Sequence, residues 1–424
     1  MLHIPVPEKS RPNRLVGRVR GTARMATFNL RKFTDPSWLQ SISAPRMIAF
    51  LSRWRAYLAT RGFDLADTGA IEIDYPALSK ALLAADATTP TEMIDALYYV
   101  HESSDPEDQE ELQAKATAKD LKIVHDPTAT PADYAVDVWS VDPDLLREAH
   151  AETLARRQQS FQYHGGKSSK GRRFPHIPDS RRRAMESALD DWFDQHRRGR
   201  GCRLLVFIHR PIVWILVRHG RPMRREASHG DDGTSKTEFY RPQQHDILIY
   251  DEQADEIGVH AETVGERKLY LRVLGQHLFG DADYFPQVPK YTLAPLVEHG
   301  RGALACADVE GIDEVRLIEY RKYWGGEFKE SEIRRAEDIF GALEKRAGDH
   351  KVTGQLSAAA FKIRFADSPR ERRLVIRAPA SARYERDTDS TLVESWLRAR
   401  GFILSRFSDL DDDDEDGPGV LEGA

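Results

Sequence analysis

Glu266 and Lys268 stand two positions apart in the stretch HAETVGERKLYLRVLG (260–275), just after an apolar run, DILIYD (246–251). An acid and a lysine at that spacing leave one face of a strand, where a metal-dependent nuclease holds Mg2+ and the attacking water. Asp251 and Glu262 would complete the acid set, and His245, Asp246 and His260 lie close in sequence. The same letters carry a second meaning. Thr263-x-x-Glu266 precedes Leu269, Tyr270, Val273, Leu274 and Leu278, an apolar series at helical period. That is a capping box, in which Glu266 would satisfy a free backbone amide at a helix start. On a helix, residues two apart point about 200° from each other, so Glu266 and Lys268 could not clasp one ion. Capping is the expected role. A nuclease centre of Asp251, Glu262, Glu266 and Lys268, with Mg2+, is the alternative; otherwise no cofactor and no metal is expected.

The second chemical signal is a basic tract. Lys167, Lys170, Arg172, Arg173, Arg181, Arg182 and Arg183 are interleaved with Phe161, Tyr163, His164, Phe174 and His176. Cations meet phosphates while aromatic rings stack on bases, so this mixture suits nucleic acid. Arg181–Arg183 are expected on the first turn of a helix, where the helix dipole disfavours positive charge and a bound anion would remove the penalty. GGKSS (165–169) is not a phosphate loop. The full pattern needs a glycine five positions before Gly166, and Phe161 stands there. No Gly-x-Ser-x-Gly elbow is present. Cys202 and Cys306, the only cysteines, read as packed residues rather than nucleophiles. RKYWGGEF (321–328) reads as a strand end turning over an aromatic core.

The elements that must position these residues follow from charge and periodicity. The formal net charge of −6 hides segregation. Residues 62–152 hold 21 Asp/Glu against 5 Lys/Arg, and residues 151–225 hold 6 against 18. The chain divides as 1–24, a disordered basic arm; 25–160, an acidic helical domain; 161–180, a basic linker loop; 181–285, an α+β domain; 286–407, a second α+β domain; and 408–424, an acidic disordered tail. Met25 is a second candidate start. In the helical part Met47, Phe50, Leu51, Trp54 and Leu58 share a face, as do Met93, Leu97 and Val100. After Arg200 short branched and aromatic runs read as strands, each group followed by a helix. A helix is expected over 330–348. The fold class is α+β: an N-terminal all-helical part, then mixed or antiparallel sheets with packing helices.

No apolar run approaches the roughly 18 residues of a membrane span, and two distant cysteines suit a reducing cytoplasm. Arginine in excess of lysine fits a GC-rich bacterial genome. The expected function is a non-catalytic, nucleic-acid-associated (DNA-binding or RNA-binding) component of a bacterial multi-protein assembly, contacted through the basic loop and helix start. The alternatives are the Mg2+ nuclease and a protein–protein scaffold docking through the acidic helices.

Overall fold

The computed structural model describes residues 30–404 apart from 68–71, 85, 87, 124–125, 169–170, 230–232, 287–288, 326 and 347–350. The expected basic arm, Met25, the acidic tail and Lys170 lie outside the described residues.

The class is α+β. Among the described residues eight α-helices come first: α1 (Pro36–Leu39), α2 (Ala44–Leu51), α3 (Arg55–Thr60), α4 (Tyr75–Leu83), α5 (Thr91–Glu102), α6 (Pro106–Ala118), α7 (Pro131–Val141) and α8 (Pro143–Arg156). Polar side chains cap several of them. Asp74 caps α4, Asp142 caps α8, and Thr130 with Asp133 closes a capping box on α7. Met47, Phe50, Leu51, Trp54, Leu58, Met93, Leu97 and Val100 are all buried in one core that these helices make among themselves. Apolar residues at helical spacing thus face inward, as the periodicity requires.

Then β1 (Ser160–Gly165) leads to α9 (Asp179–Gln195), β2 (Arg203–His209), β3 (Ile212–Gly220), β4 (Arg224–His229), β5 (Ser235–Tyr240), β6 (Gln243–Asp251), β7 (Glu256–His260) and α10 (Val264–Leu274). After α11 (Ala294–Glu298) come β8 (Ile312–Gly325), β9 (Glu330–Arg335), α12 (Ile339–Glu344), β10 (Leu356–Phe365), β11 (Arg372–Arg377), β12 (Ser381–Arg383) and α13 (Arg386–Ala399). Among the described residues ten strands form one antiparallel sheet in the order β2-β3-β6-β7-β1-β12-β11-β10-β8-β9, with β4-β5 a separate ribbon.

This sheet changes three expectations. Residues 161–165 are not a linker: they lie in β1, at the centre of the sheet, paired with β7 on one side and β12 on the other. The Gly, Ser and Lys that follow mask a short alternation in which Phe161 and Tyr163 are buried beside half-buried Gln162. The two expected α+β units share the one sheet, because β1 fills the open edges of both β7 and β12. Finally, residues 330–335 are a strand, not the start of a helix. Glu330–Arg335 pairs with β8 as an edge, where its charged residues are at home.

Two meanders, β2-β3-β6-β7 with α10 and β8-β10-β11-β12 with α13, flank β1. Since β7 and β12 both run antiparallel to β1, they run the same way. A rotation about β1 therefore relates the meanders, and it exchanges the faces of the sheet. On face A of the first meander α9 and α10 bury Met185, Leu189, Phe193, Leu269 and Val273 against Leu204, Val213, Leu248 and Val259. On face B of the second, α11, α12 and α13 bury Leu296, Phe340, Val393 and Trp396 against Leu317, Phe361 and Ile376. Face B of the first meander is covered from outside by α8, whose Ala151 and Ala155 join Leu216, Ile247 and Phe161.

His164, on face A of β1, is 6% exposed, and neither ring nitrogen finds a partner among the described residues. Burial, helped by Arg267, pushes its imidazole down to about 4. Below its ordinary value near 6.5 the unfolded chain binds a proton that the folded chain refuses, so this group removes stability as pH falls toward 4. His164→Leu is expected to raise stability by about 1 kcal/mol at neutral pH and by more at about pH 5, read from urea denaturation; a loss at both pH values would show that the ring has a partner.

Candidate functional site: an arginine-lined cleft

The four residues of the nuclease alternative do not meet. Asp251 pairs with Glu256 at the β6–β7 turn, whereas Glu262 lies beyond His260, which pairs with Ile247 at the other end of the hairpin. Four residue steps alone separate these ends by about 13 Å. Asp251 accepts the amides of Gln253 (2.9 Å) and Ala254 (3.1 Å) and shapes the turn. Glu262 pairs with Arg221 at 3.0 Å. Lys268 is exposed. Glu266 is fully buried and closes the capping box, taking the Thr263 amide at 2.6 Å while Thr263 Oγ1 accepts the Glu266 amide at 3.2 Å.

Glu266 also faces Arg198, and with His219 and Asp246 it forms a cluster whose ligand atoms lie within 4.8 Å of one another. Their lone pairs are already used. Asp246 accepts from His219 Nε2 (3.1 Å), Tyr270 Oη (2.6 Å) and Gln244 Nε2 (2.9 Å). Burial works to raise the Asp246 carboxyl, but these donors outweigh it and hold it below the usual range. The cluster is a closed knot fastening α10 to β3 and β6, with Glu266 already paired to Arg198.

The basic tract is dispersed. Lys167 pairs with Asp281 at 2.5 Å. Arg172 lies over the rings of Phe279 (4.8 Å) and Tyr284 (5.0 Å). Arg173 is exposed. The helix starts at Asp179, after Pro178, so Arg181 and Arg182 fall on its first turn and Arg183 just beyond, but an acid shares that turn and offsets the dipole. Arg182 is matched by Asp179 at 2.8 Å. Arg183 is exposed and makes no ion pair among the described residues. Cys202 is buried, and burial pushes its thiol far up. Tyr323, Trp324 and Phe328 are exposed at the β8–β9 tip rather than turned over a core.

Arg182 and Arg183 do reach a shared feature: a cleft of about 530 Å³ between face B of the first meander and the α5–α8 helices. Its sheet wall is a row across three strands. Arg203 of β2 is directly opposite Arg218 of β3, which is opposite His245 of β6. Like charges in direct cross-strand register are destabilising, by roughly 0.2–1 kcal/mol. Arg203 has Glu186 at 3.7 Å, but Arg218 is exposed and forms no ion pair among the described residues. Burial, then Arg218, push His245 down to about 4, so it stays neutral at physiological pH. The helical wall carries Tyr99, Arg147 and His150. Tyr99 stacks on Trp139 with centroids 6.0 Å apart, and Arg147 lies 5.2 Å over Trp139. Arg147 is held by Asp144 at 2.8 Å.

Of the residues lining this cleft, the sequence alone singled out Arg182 and Arg183, in the basic tract, and His245, beside the acid set. Arg203 and Arg218 were legible in principle: a hairpin turning at Arg210–Pro211 places them opposite each other. The helical wall was not, since it meets the sheet only in three dimensions.

Chemically, then, the cleft can receive an anion and an aromatic ring, whereas the acids around 246–268 serve as turn, cap and knot. Glu266→Ala is expected to cost about 3–5 kcal/mol, because it strands Arg198 and opens the cap, while Lys268→Ala stays within about 0.5 kcal/mol. Equal effects in urea denaturation would contradict the structural role of Glu266. No protein-family model matches this chain, and no curated protein matches it.

Proposed function

We propose that the protein binds single-stranded nucleic acid in the cleft between α5, α8 and the β2-β3-β6 face, as a binding rather than a cleaving component of an assembly. The observation that carries this reading is Arg218: a solvent-facing guanidinium set against Arg203 across the strand pair, with no carboxylate partner among the described residues. A phosphate between Arg218, Arg203 and Arg183 would relieve that repulsion and gain charge-assisted hydrogen bonds. Tyr99 and His150 on the facing wall offer rings for a base. The enclosure has the dimensions of a ligand pocket rather than of a platform for a duplex. The dispersal of Asp251, Glu262, Glu266 and Lys268 supports binding over cleavage.

Fluorescence anisotropy with a labelled single-stranded oligonucleotide tests the proposal. Affinity should fall steeply with salt, and Arg218→Ala and Arg183→Ala should each weaken binding and lower the log–log salt slope by about 0.7. Arg172→Ala, whose side chain lies over Phe279 and Tyr284, should leave binding unchanged. Binding insensitive to salt, or to both cleft substitutions, would sink the proposal.

A further inference from the structure

The rotation about β1 leaves one position in the sheet that no described residue covers. Face B of the first meander is roofed by α8, and its counterpart is face A of the second. The side chains presented there join neither core. Two cross-strand rows define it: Arg321·Ala358·Arg377·Ser381 and Glu319·Ala360·Val375·Arg383. Small side chains make the floor and arginines the walls of a groove of about 900 Å³. Glu319 is taken up by Arg335 (2.8 Å) and Arg373 (3.3 Å). Arg321, Arg377 and Arg383 are exposed, and none makes an ion pair among the described residues.

The route of the chain points to an occupant. The Leu404 amide donates to the Lys290 carbonyl (2.9 Å), and the Lys290 amide donates to the Pro379 carbonyl (2.9 Å). Pro379 sits in the turn between β11 and β12, two residues from both Arg377 and Ser381. The last described residue therefore lies two hydrogen bonds from the β11–β12 turn, at one end of the strands that floor the groove, just after Phe402 and Ile403, which pack in the core on the other face. Four residues later begins DLDDDDED (409–416), with seven acids in eight positions. Those four residues reach about 13 Å and the acidic run about 26 Å when extended, while the four strands span about 14 Å.

We infer that residues 409–416 dock in this groove, their carboxylates on Arg321, Arg377 and Arg383. Tethering gives the segment an effective concentration in the millimolar range, so it outcompetes a free anion of similar chemistry. The contact is electrostatic and reversible: it covers the open half of the sheet at low salt and yields to high salt.

The test uses the full chain and a fluorescein-labelled peptide of residues 408–419. A chain with its tail neutralised (D409N, D411N, D412N, D413N, D414N, E415Q, D416N) should bind the peptide at least about tenfold more tightly than the native chain, whose groove is already filled. Adding R377A and R383A to the neutralised chain should abolish this binding, whereas adding R183A and R218A should not. If the R377A/R383A chain misfolds by circular dichroism, R321A alone should still weaken binding. Equal binding by native and neutralised chains overturns the inference, as does loss of binding on R183A/R218A, which would place the tail in the cleft. Displacement of the peptide from the R183A/R218A chain by a single-stranded oligonucleotide, at lower concentration than unlabelled peptide requires, also overturns it by assigning the groove to nucleic acid.

Discussion

The pairing of β1 with β7 on one edge and β12 on the other holds this molecule together. Without it, each meander would end in an unpaired inner edge. The seam is reinforced by buried charge beneath β1. Lys290 meets Glu256 at 2.5 Å and lies 3.9 Å over the Tyr163 ring. Arg386 lies 4.1 Å over Tyr384 and donates to its hydroxyl (2.6 Å), and that hydroxyl donates to Glu394 (2.6 Å). Groups this deeply buried are tolerated only when matched, and here cations come from the second meander and its approach while Glu256 comes from the first. Gly258 follows from the same packing, for a Cβ there would sit 2.9 Å from the Tyr163 ring.

Because the meanders are related by rotation about this strand, their helices fall on opposite faces, and each meander has a second face that its own helix cannot reach. The two faces are treated differently. The first meets α8, and the joint is again ionic: Glu152 of α8, fully buried, takes both Lys115 and His209. The helical layer is thereby clamped near the β2–β3 turn, while toward the other end of those strands the wall opens into the cleft. The second meander's other face, floored by alanines and edged by arginines, is covered by none of the described residues. The two proposed anion sites are thus consequences of one topological fact.

Much of this was legible one segment at a time. The capping box at Thr263 and Glu266, the apolar faces of α2 and α5, and the β6–β7 hairpin depend on contacts within a dozen residues, where period and end signals suffice. β1 was not legible, because six residues of modest alternation ahead of a Gly/Ser/Lys stretch carry no sign of their partners. Its neighbours, Glu256–Val259 and Ser381–Arg383, lie about a hundred and about two hundred residues away. The arginines were read as one linear tract, yet Arg172 is spent on aromatic rings and Lys167 on Asp281. Arg183 and Arg218, which make no ion pair among the described residues, come from separate elements.

By itself, then, the sequence determined the local repertoire: which stretches become helices, where they are capped, which hairpins form, and that positive charge gathers after residue 151. Those outcomes rest on backbone propensity and near-neighbour geometry. Only the tertiary structure decided which acids are consumed as caps and knots, which face of each strand is covered, and which arginines remain without a partner. Such choices depend on pairing and burial between distant segments, and it is burial that sets whether a charge is spent inside the molecule or left for something outside it.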